Sequence, residues 1–337
     1  MAVRPNISIK KREVLSAQEI FKNLIVGKRE WLSKALTLVE STRSEHRKTA
    51  KELVQLATPF SGKSIRIGIT GEPGVGKSTF IESFGLEAIL KGKKVCVLAI
   101  DPSSEISKGS LLGDKTRMDQ LSTHSDAYIR PSPTSGTLGG VTRATRESIL
   151  LCESAGYDLI LIETVGVGQS ETKVHSMVDA FLMLLLSNAG DEIQGIKRGI
   201  MEMADILVVN KADGENQRNA KIAAHQLQQA LHYFPLGKSG WAPSVSTMSA
   251  LNNEGVSGLW KKCTEYIDHI KSNKFFEQNR KLQAVNWFKQ SLSEQIIQRI
   301  EQDEEYKKKL SEIEEKVAIG KLDPFIAADL ITDFYFR

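Results

Sequence analysis

The residues whose identities and order most clearly predict a chemical role lie at positions 71–78, which read G-E-P-G-V-G-K-S. This stretch matches G-x-x-x-x-G-K-[ST], in which glycines let successive backbone N–H groups point at an anion. Lys77 is expected to reach the β- and γ-phosphates of a nucleoside triphosphate, and the Ser78 hydroxyl to bind Mg²⁺. The alternative is a glycine-rich turn that holds no ligand. The predicted phosphate contacts are Gly71, Glu72, Pro73, Gly74, Val75, Gly76, Lys77, Ser78 and Thr79.

A second motif, N-K-A-D, predicts which base is bound, because N-K-x-D is the guanine-reading signature of GTPases. It supplies Asn210, Lys211 and Asp213 at the end of an apolar run. The Asp213 carboxylate can accept from guanine N1–H and from the exocyclic amine, a donor pair that adenine lacks. Downstream, the backbone of Ser249, Ala250 and Leu251 is predicted to support the guanine carbonyl. The predicted bound nucleotide is therefore GTP or GDP.

Two acidic residues lie at the ends of predicted strands, where their carboxylates are candidates to face the metal ion. Asp101 ends the run KVCVLAID, and Glu163 ends YDLILIE. Ligands of doubly wound sheets bind outside the carboxyl ends of the strands, so both are predicted to face the metal and γ-phosphate instead of solvent. The following TVGVGQSE resembles the second switch of GTPases, with the Gly166 amide at the γ-phosphate. Val167 stands where Ras-like enzymes place a water-positioning Gln, which predicts slow intrinsic hydrolysis.

The elements that must position these residues form an α/β pattern. From residue 64, short apolar runs alternate with amphipathic ones, as in IRIGIT, AFLMLLLSN and ILVVNKAD. Such runs predict a doubly wound, mostly parallel sheet covered by helices on both faces. Helical patterns flank the sheet on both sides. We predict an N-terminal helical region at 1–62, a P-loop GTPase domain at 63–272 and a C-terminal helical arm at 273–337.

Composition and short sequence features limit the partners, the cysteine redox state and the cellular location that we expect. Lys and Arg number 45 against 41 Asp and Glu, so the net charge of +4 favours neither nucleic acid nor a membrane as partner. Cys96, Cys152 and Cys263 are an odd, sparse set typical of reduced thiols. The longest apolar run, at 180–186, is too short to span a bilayer, and the first residues lack the apolar core of a signal peptide. We expect a cytoplasmic protein.

Several longer motifs together resemble one family, the MeaB/ArgK methylmalonyl-CoA mutase-associated GTPases of the SIMIBI class. The chain carries GEPGVGKSTFIE, DPSS followed by GSLLGDKTRM, RPSPTSGTLGGVTRAT, ETVGVGQSE, DEIQGIKRGIMEMAD and NKAD. The resemblance implies a homodimeric GTPase that gates cofactor loading into an adenosylcobalamin-dependent acyl-CoA mutase. It also implies protection of that mutase and stimulation of GTP hydrolysis by it.

The resemblance also implies roles for individual residues. Lys77 and Ser78 would serve the phosphates and Mg²⁺, whereas Asp101, Asp114 and Glu163 would surround Mg²⁺ and the attacking water. Residues 191–199, DEIQGIKRG, resemble an additional switch in which Lys197 responds to the mutase. The implied catalytic set is therefore Lys77, Glu163, Asp114 and Lys197, and the implied metal set is Ser78, Asp101, Asp114 and Glu163. The C-terminal helices resemble the dimerisation arm of the family.

Three other functions compete with this interpretation. A metal-inserting SIMIBI GTPase needs thiolate or imidazole ligands close together, and the sequence has no Cys-x-x-Cys motif or His-rich tract. A P-loop small-molecule kinase predicts ATP use, against which N-K-A-D argues. A nucleotide-bound scaffold that never hydrolyses would leave the combination of Lys77, Ser78 and Glu163 without a purpose.

Overall fold

The computed structural model describes residues 15–100, 118–131, 138–164, 170–187 and 198–335. The chain divides into two compact units, Met1–Asn279 and Arg280–Arg337. The boundary between the units falls inside a long helix, Phe275–Glu301. The division into three regions at 62/63 and 272/273 stays a prediction.

The first unit is built on a parallel sheet of seven strands with the order β3-β2-β4-β1-β5-β6-β7. Within the described residues, the six pairings between strands of this sheet are all parallel. The prediction of a doubly wound, mostly parallel sheet is therefore confirmed. The strands are β1 Ile65–Gly71, β2 Val95–Ile100, β3 Ala127–Arg130, β4 Leu159–Thr164, β5 Ala180–Leu185, β6 Ile206–Val209 and β7 Ser244–Thr247.

The central strands are apolar throughout because helices cover both faces of the sheet. Every residue of β4, β5 and β6 is buried. Within the described part of the first unit, the helices are α1 Ala17–Leu24, α2 Arg29–Glu40, α3 Ser44–Ala57, α4 Lys77–Leu90, α5 Asp119–Thr123, α6 Leu138–Ser154, α7 Ser170–His175, α8 Arg198–Met203, α9 Gln217–Leu231 and α10 Val256–Ser272. Short 3₁₀ turns lie at Thr58–Phe60 and Gly214–Asn216.

The N-terminal helices pack on one another, and both α2 and α3 pack on α6. Their apolar stripes, which include Leu24, Leu36 and Leu53, are fully buried. Arg130 at the end of β3 donates to both carboxylate oxygens of Glu40 on α2. This part of the chain is therefore joined to the sheet unit by apolar packing and by an ion pair.

Helix α11 is Phe275–Glu301, and the second unit contains its residues from Arg280 onward. The other described helices of this unit are α12 Glu304–Ala318 and α13 Pro324–Tyr335. Asp303 caps α12 by accepting from the backbone N–H groups of Glu305 and Tyr306. Ile313, Ala327 and Ile331 form a small core between α12 and α13.

Among the residues that the structure describes, no helix is long and apolar enough to cross a membrane. All three cysteines are free and buried. Cys96 on β2 and Cys152 on α6 nevertheless place their sulfur atoms 3.3 Å apart. This proximity could not be read from their separation in the sequence.

Candidate functional site

The residues singled out by sequence gather at the carboxyl edge of the sheet. The loop 72–76 follows β1 in the middle of that edge. Glu163 lies on β4, in register with Ile69 of β1 and Ala99 of β2. Asn210 follows β6 on the other side of the loop. A ligand at the loop would thus meet a carboxylate on one side and the N-K-A-D motif on the other, as expected for a doubly wound sheet.

The loop conformation depends on glycine most strongly at the two positions where a Cβ atom would also clash. Gly71 has φ 150°, and a Cβ there would lie 2.6 Å from the Leu184 carbonyl oxygen. Gly76 has φ 94°, and a Cβ there would lie 2.9 Å from Asn210 Nδ2. Both left-handed conformations are costly for residues with a Cβ atom. Glycine therefore lets the loop turn sharply while its backbone approaches neighbouring elements closely.

Lys77 opens helix α4, and its ammonium turns back over the loop. Nζ donates to the carbonyl oxygens of Gly71 at 2.8 Å and of Glu72 at 3.1 Å. The residue is only 9% exposed. Burial lowers the pKa of Lys77, while the negative charges of Glu163 and Glu171 act in the opposite direction. No carboxylate lies within 4 Å of this ammonium in the described chain, so neutral carbonyls alone hold a buried cation at the loop.

The first turn of α4 places the remaining loop residues. Ser78 and Thr79 are partly exposed at the start of the helix, and Glu72 and Pro73 are exposed in the loop. Phe80 next to them is fully buried and fixes the helix against the sheet. The helix N-terminus directs free N–H groups and a positive partial charge towards the loop, which favours an anion there.

Asn210 joins the phosphate loop to the other end of the site. Its Nδ2 donates to the Val75 carbonyl oxygen at 2.9 Å, and its Oδ1 accepts from the Ala250 N–H at 3.3 Å. Asn210 is 1% exposed, so both bonds are shielded from water. The side chain thereby links loop 72–76 to the predicted base-binding loop 249–251.

Asp213 and Ser249 form the second contact between the two base-reading segments. Ser249 Oγ donates to Asp213 Oδ2 at 2.6 Å, and Ser249 is fully buried. This bond leaves the other oxygen of Asp213 able to accept from a base. Lys211 is exposed with φ 56°, and Leu251 is 77% exposed beside the buried Ala250.

Sequence reasoning missed the residues that hold this second loop in place. Asn253 adopts φ 58°, and its Oδ1 accepts from Ser83 Oγ of helix α4 at 2.7 Å. Ser249 also exchanges two backbone hydrogen bonds with Glu254. The turn residues in LNNEG were an available signal. Their partner on the phosphate helix could not be identified without coordinates.

Among the predicted metal ligands, the structure describes Ser78 and Glu163. Both offer hard oxygen donors of the kind that Mg²⁺ prefers. Glu163 is 8% exposed at the carboxyl edge. Within the described chain, no group of three or more His, Cys, Asp or Glu side chains could hold a metal ion. The predictions for Asp101, Asp114, Gly166, Val167 and Lys197 fall outside the described residues.

Comparison with known proteins identifies similar sequences that match most of this chain. The sequence profile of a family described as methylmalonyl-CoA mutase-associated GTPase MeaB matches residues 32–305. GTPase ArgK of Escherichia coli (strain K12) is 43% identical over 288 residues, which cover 86% of this chain and 87% of that protein. A mouse protein named methylmalonic aciduria type A homolog, mitochondrial, is 43% identical over 330 residues, covering 95% of this chain and 80% of its own length.

A solved structure also matches nearly the whole chain. The crystal structure of a LAO/AO transport system kinase superposes with a TM-score of 0.76 and 35% sequence identity. The match covers 95% of this chain and 98% of that one. The structural comparison and the sequence comparisons therefore each match most of this chain.

Proposed function

The chain belongs to the MeaB family of methylmalonyl-CoA mutase-associated GTPases, and on that premise we propose that it is the guanine-nucleotide-dependent chaperone of an adenosylcobalamin-dependent acyl-CoA mutase. It is a P-loop GTPase, which binds GTP and converts it to GDP and phosphate. The proposal is that this nucleotide cycle gates cofactor loading into a mutase of the methylmalonyl-CoA type and protects the mutase from inactivation.

The observation that carries the nucleotide part of the proposal is the environment of Lys77. Its buried ammonium has two carbonyl partners and no carboxylate partner in the described chain. We propose that it moves from these carbonyls onto the β- and γ-phosphates when the triphosphate binds. The backbone N–H groups of residues 71–79 other than Pro73 would hold the remaining phosphate oxygens.

On the base side, we propose that Asp213 accepts from guanine N1–H and from the exocyclic amine. The Ser249 hydroxyl, 2.6 Å from Asp213 Oδ2, orients the carboxylate for that contact. Lys211 would lie along the base, and the backbone of residues 249–251 would bind the guanine carbonyl. Adenine would leave Asp213 without a donor pair, which supports discrimination against ATP.

The metal part of the proposal uses Ser78 and Glu163 with Asp101 and Asp114. Mg²⁺, when bound, would neutralise charge on the β- and γ-phosphates. The Ser78 hydroxyl would hold it from the first turn of α4, and the carboxylates would hold it directly or through water. Glu163 and Asp114 would also orient the attacking water, a role for which Val167 has no suitable group.

Regulation is assigned to the two segments that resemble switches. The Gly166 amide would bind the γ-phosphate, and Lys197 would approach it only when the partner mutase repositions residues 191–199. Because Val167 replaces a water-positioning Gln, hydrolysis by the protein alone should be slow. A cation supplied at the γ-phosphate would then give the partner control over turnover.

We also propose that the protein is a homodimer formed through its C-terminal arm. An apolar row runs along α11 and is exposed in the single chain: Leu282, Val285, Phe288, Leu292 and Ile296. The spacing of these residues keeps them on one helical face. Phe288, for example, is 65% exposed. A row of this kind supports association with a second copy.

The test of the proposal is Lys197→Ala in a stimulated hydrolysis assay. We expect the variant to retain GTP binding and slow basal turnover, and to lose most of the stimulation by the mutase. A cation supplied in this way is worth about 10³–10⁵ in rate in other GTPases, so a partial effect should be measurable. The measurement is steady-state phosphate release with and without a saturating cobalamin-dependent acyl-CoA mutase.

The matched control is Lys221→Ala, which removes an exposed lysine from α9 and should respond like wild type. Fast turnover of the wild-type protein alone, or full stimulation of Lys197→Ala, would contradict the proposed regulation. A separate pull-down from native extract, with and without a non-hydrolysable GTP analogue, tests the partner. Failure to recover a cobalamin-dependent mutase in either state would contradict the chaperone role.

A further inference from the structure

A cavity of about 370 Å³ lies at the edge of the sheet opposite to the phosphate loop. It is lined by residues at the start of β1, by the segment after α4 and by one face of α10. Its volume falls within the range of small-molecule sites, roughly 300–1,000 Å³. No residue of the nucleotide site contributes to its lining.

The floor of the cavity is apolar. Ile67 of β1, Leu159 of β4 and Ile267 of α10 are nearly fully buried beneath it. The partly buried Trp260 also lines the cavity. Removing an apolar chain from water onto such a surface is favourable.

The rim of the cavity is positively charged. Four lysines line it, against Asp158 and Asp268: Lys63, Lys91, Lys93 and Lys271. Lys91 pairs with Glu87 at 3.4 Å, and the Asp158 carboxylate accepts from the Lys94 backbone N–H at 2.8 Å. Among the described residues, Lys63, Lys93 and Lys271 have no carboxylate within 4 Å. Their ammonium groups therefore surround an apolar cavity without being neutralised by ion pairs.

We propose that this cavity binds a small anionic amphiphile, with the apolar body against Trp260 and the floor and a carboxylate or phosphate head at the lysine rim. The combination of floor and rim selects one class of ligand, because a neutral apolar molecule would pack against the apolar floor but would not be attracted by the lysines of the rim. An amphipathic cation would meet the lysines with a like charge. The two aspartates at the rim reduce the net charge without reversing it.

The site is separate from the nucleotide site. Strand β1 contributes Ile65 to the cavity and ends at Gly71 on the opposite edge, about 20 Å away at 3.3 Å per residue. The amphiphile and a guanine nucleotide are therefore expected to bind at the same time. Binding to the GDP-loaded protein tests the cavity independently of hydrolysis and of any mutase.

The experiment is isothermal titration calorimetry of the GDP-loaded protein with four ligands that share one chain length, each below its micelle-forming concentration. Octanoate and octyl phosphate carry the two candidate head groups, octanol is neutral and octylamine is cationic. We expect saturable binding of one octanoate or octyl phosphate per chain. Octanol should bind at least tenfold more weakly, and octylamine should not bind measurably.

Two changes locate the binding to the cavity. Lys63→Glu combined with Lys93→Glu reverses two exposed rim charges and should weaken octanoate binding by about tenfold or more. Thr264→Trp fills the cavity from α10 and should remove binding. Lys48→Glu combined with Lys221→Glu, two lysines outside the cavity lining, is the control and should leave binding unchanged. Retained GDP affinity and melting temperature identify folded variants.

The proposal would be overturned by equal binding of octanol and octanoate, which would indicate an apolar surface without charge selection. Preferential binding of octylamine would overturn it as well, because the aspartates would then dominate. No saturable binding of either anion, or an equal loss in the control variant, would do the same. Octanoate and octyl phosphate distinguish the two head groups, since the one with the lower Kd identifies the preferred class.

Discussion

Two buried cations on neighbouring elements, Arg66 of β1 and Lys77 of α4, are held in opposite ways. Arg66 is 4% exposed, and its guanidinium donates to both carboxylate oxygens of Glu153, at 2.9 and 3.0 Å. Lys77 is 9% exposed, and its ammonium donates to two neutral carbonyl oxygens. Among the residues that the structure describes, a carboxylate neutralises the charge of Arg66, and none pairs with the charge of Lys77.

The difference separates a structural charge from a functional one. Glu153 also accepts from the Gly62 N–H and the Ser64 hydroxyl, both at 2.7 Å, so its carboxylate is fully engaged at the start of β1. Nothing remains for a ligand to bind there. Neutral carbonyls compensate a buried ammonium less completely than a carboxylate does, so Lys77 can exchange them for phosphate oxygens at little cost.

The largest expected effect concerns the paired cation. Arg66→Met should lower the free energy of unfolding by about 3–5 kcal/mol, because it leaves the Glu153 carboxylate buried without its counter-ion. Urea unfolding of the nucleotide-free protein measures the loss. Arg218→Met, on the surface of α9, is the control. A loss below about 1 kcal/mol would mean that water or backbone donors stabilise Glu153 without Arg66.

The next effect concerns the unpaired cation and should appear in binding instead of stability. Lys77→Met keeps the aliphatic stem and removes a charge that burial already disfavours, so the nucleotide-free protein should be as stable as wild type or slightly more stable. GTP affinity should fall about 100-fold or more, roughly 2.7 kcal/mol. Titration with a fluorescent GTP analogue measures this, with Lys51→Met on α3 as control. A large loss of nucleotide-free stability would assign Lys77 a structural role.

Much of the fold could be predicted from the sequence because each buried strand is a short apolar run. Strands β1, β2, β4, β5 and β6 lie in runs with that pattern, from IRIGIT at β1 to ILVV at β6, whereas the edge strand β7, SVST, has one apolar residue and is only partly buried. The order of the strands could not be predicted, since it depends on crossover connections whose paths leave no periodic pattern. The membership of the glycine loop in a strand–loop–helix unit was predictable because the three parts are contiguous.

The contacts that distinguish Arg66 from Lys77 were not predictable in the same way. Arg66 and Glu153 are 87 positions apart and meet only because α6 packs on the sheet that contains β1. The bridge from Asn210 to Val75 spans 135 positions. Sequence motifs identified Asn210 and Lys77 as residue types, but not the partners that hold them when no ligand is bound. Long-range pairing depends on the packed structure, which local patterns do not encode.

Asp205 offers an anionic counterpart to Lys77, because neutral donors hold its partly buried carboxyl group. The Phe181 N–H donates to its Oδ2 at 2.8 Å, and the nearby Tyr266 hydroxyl also favours its charged form. Burial raises the pKa of Asp205 to about 7, against the smaller opposing effect of these two groups. Unlike Lys77, Asp205 is far from the phosphate loop, since it precedes β6 at the amino edge of the sheet. Its charge should therefore affect stability and not nucleotide binding.

The smallest expected effect is the pH dependence that Asp205 causes. Its folded pKa is raised above the unfolded value, so the native state binds the extra proton, and the stabilisation is complete below about pH 4 and lost as pH rises through about 7. Between pH 5 and pH 8 we expect a fall of roughly 2.5 kcal/mol in the free energy of unfolding from this group. Asp205→Asn should remove that fall, because an amide does not titrate. The substitution can also lower stability equally at every pH by disturbing one hydrogen bond.

Urea unfolding at several pH values measures the difference. Asp158→Asn is the control, since the exposed Asp158 accepts a backbone N–H at the same distance of 2.8 Å. Parallel stability profiles for wild type and Asp205→Asn would show that this carboxyl group is ionised throughout the range.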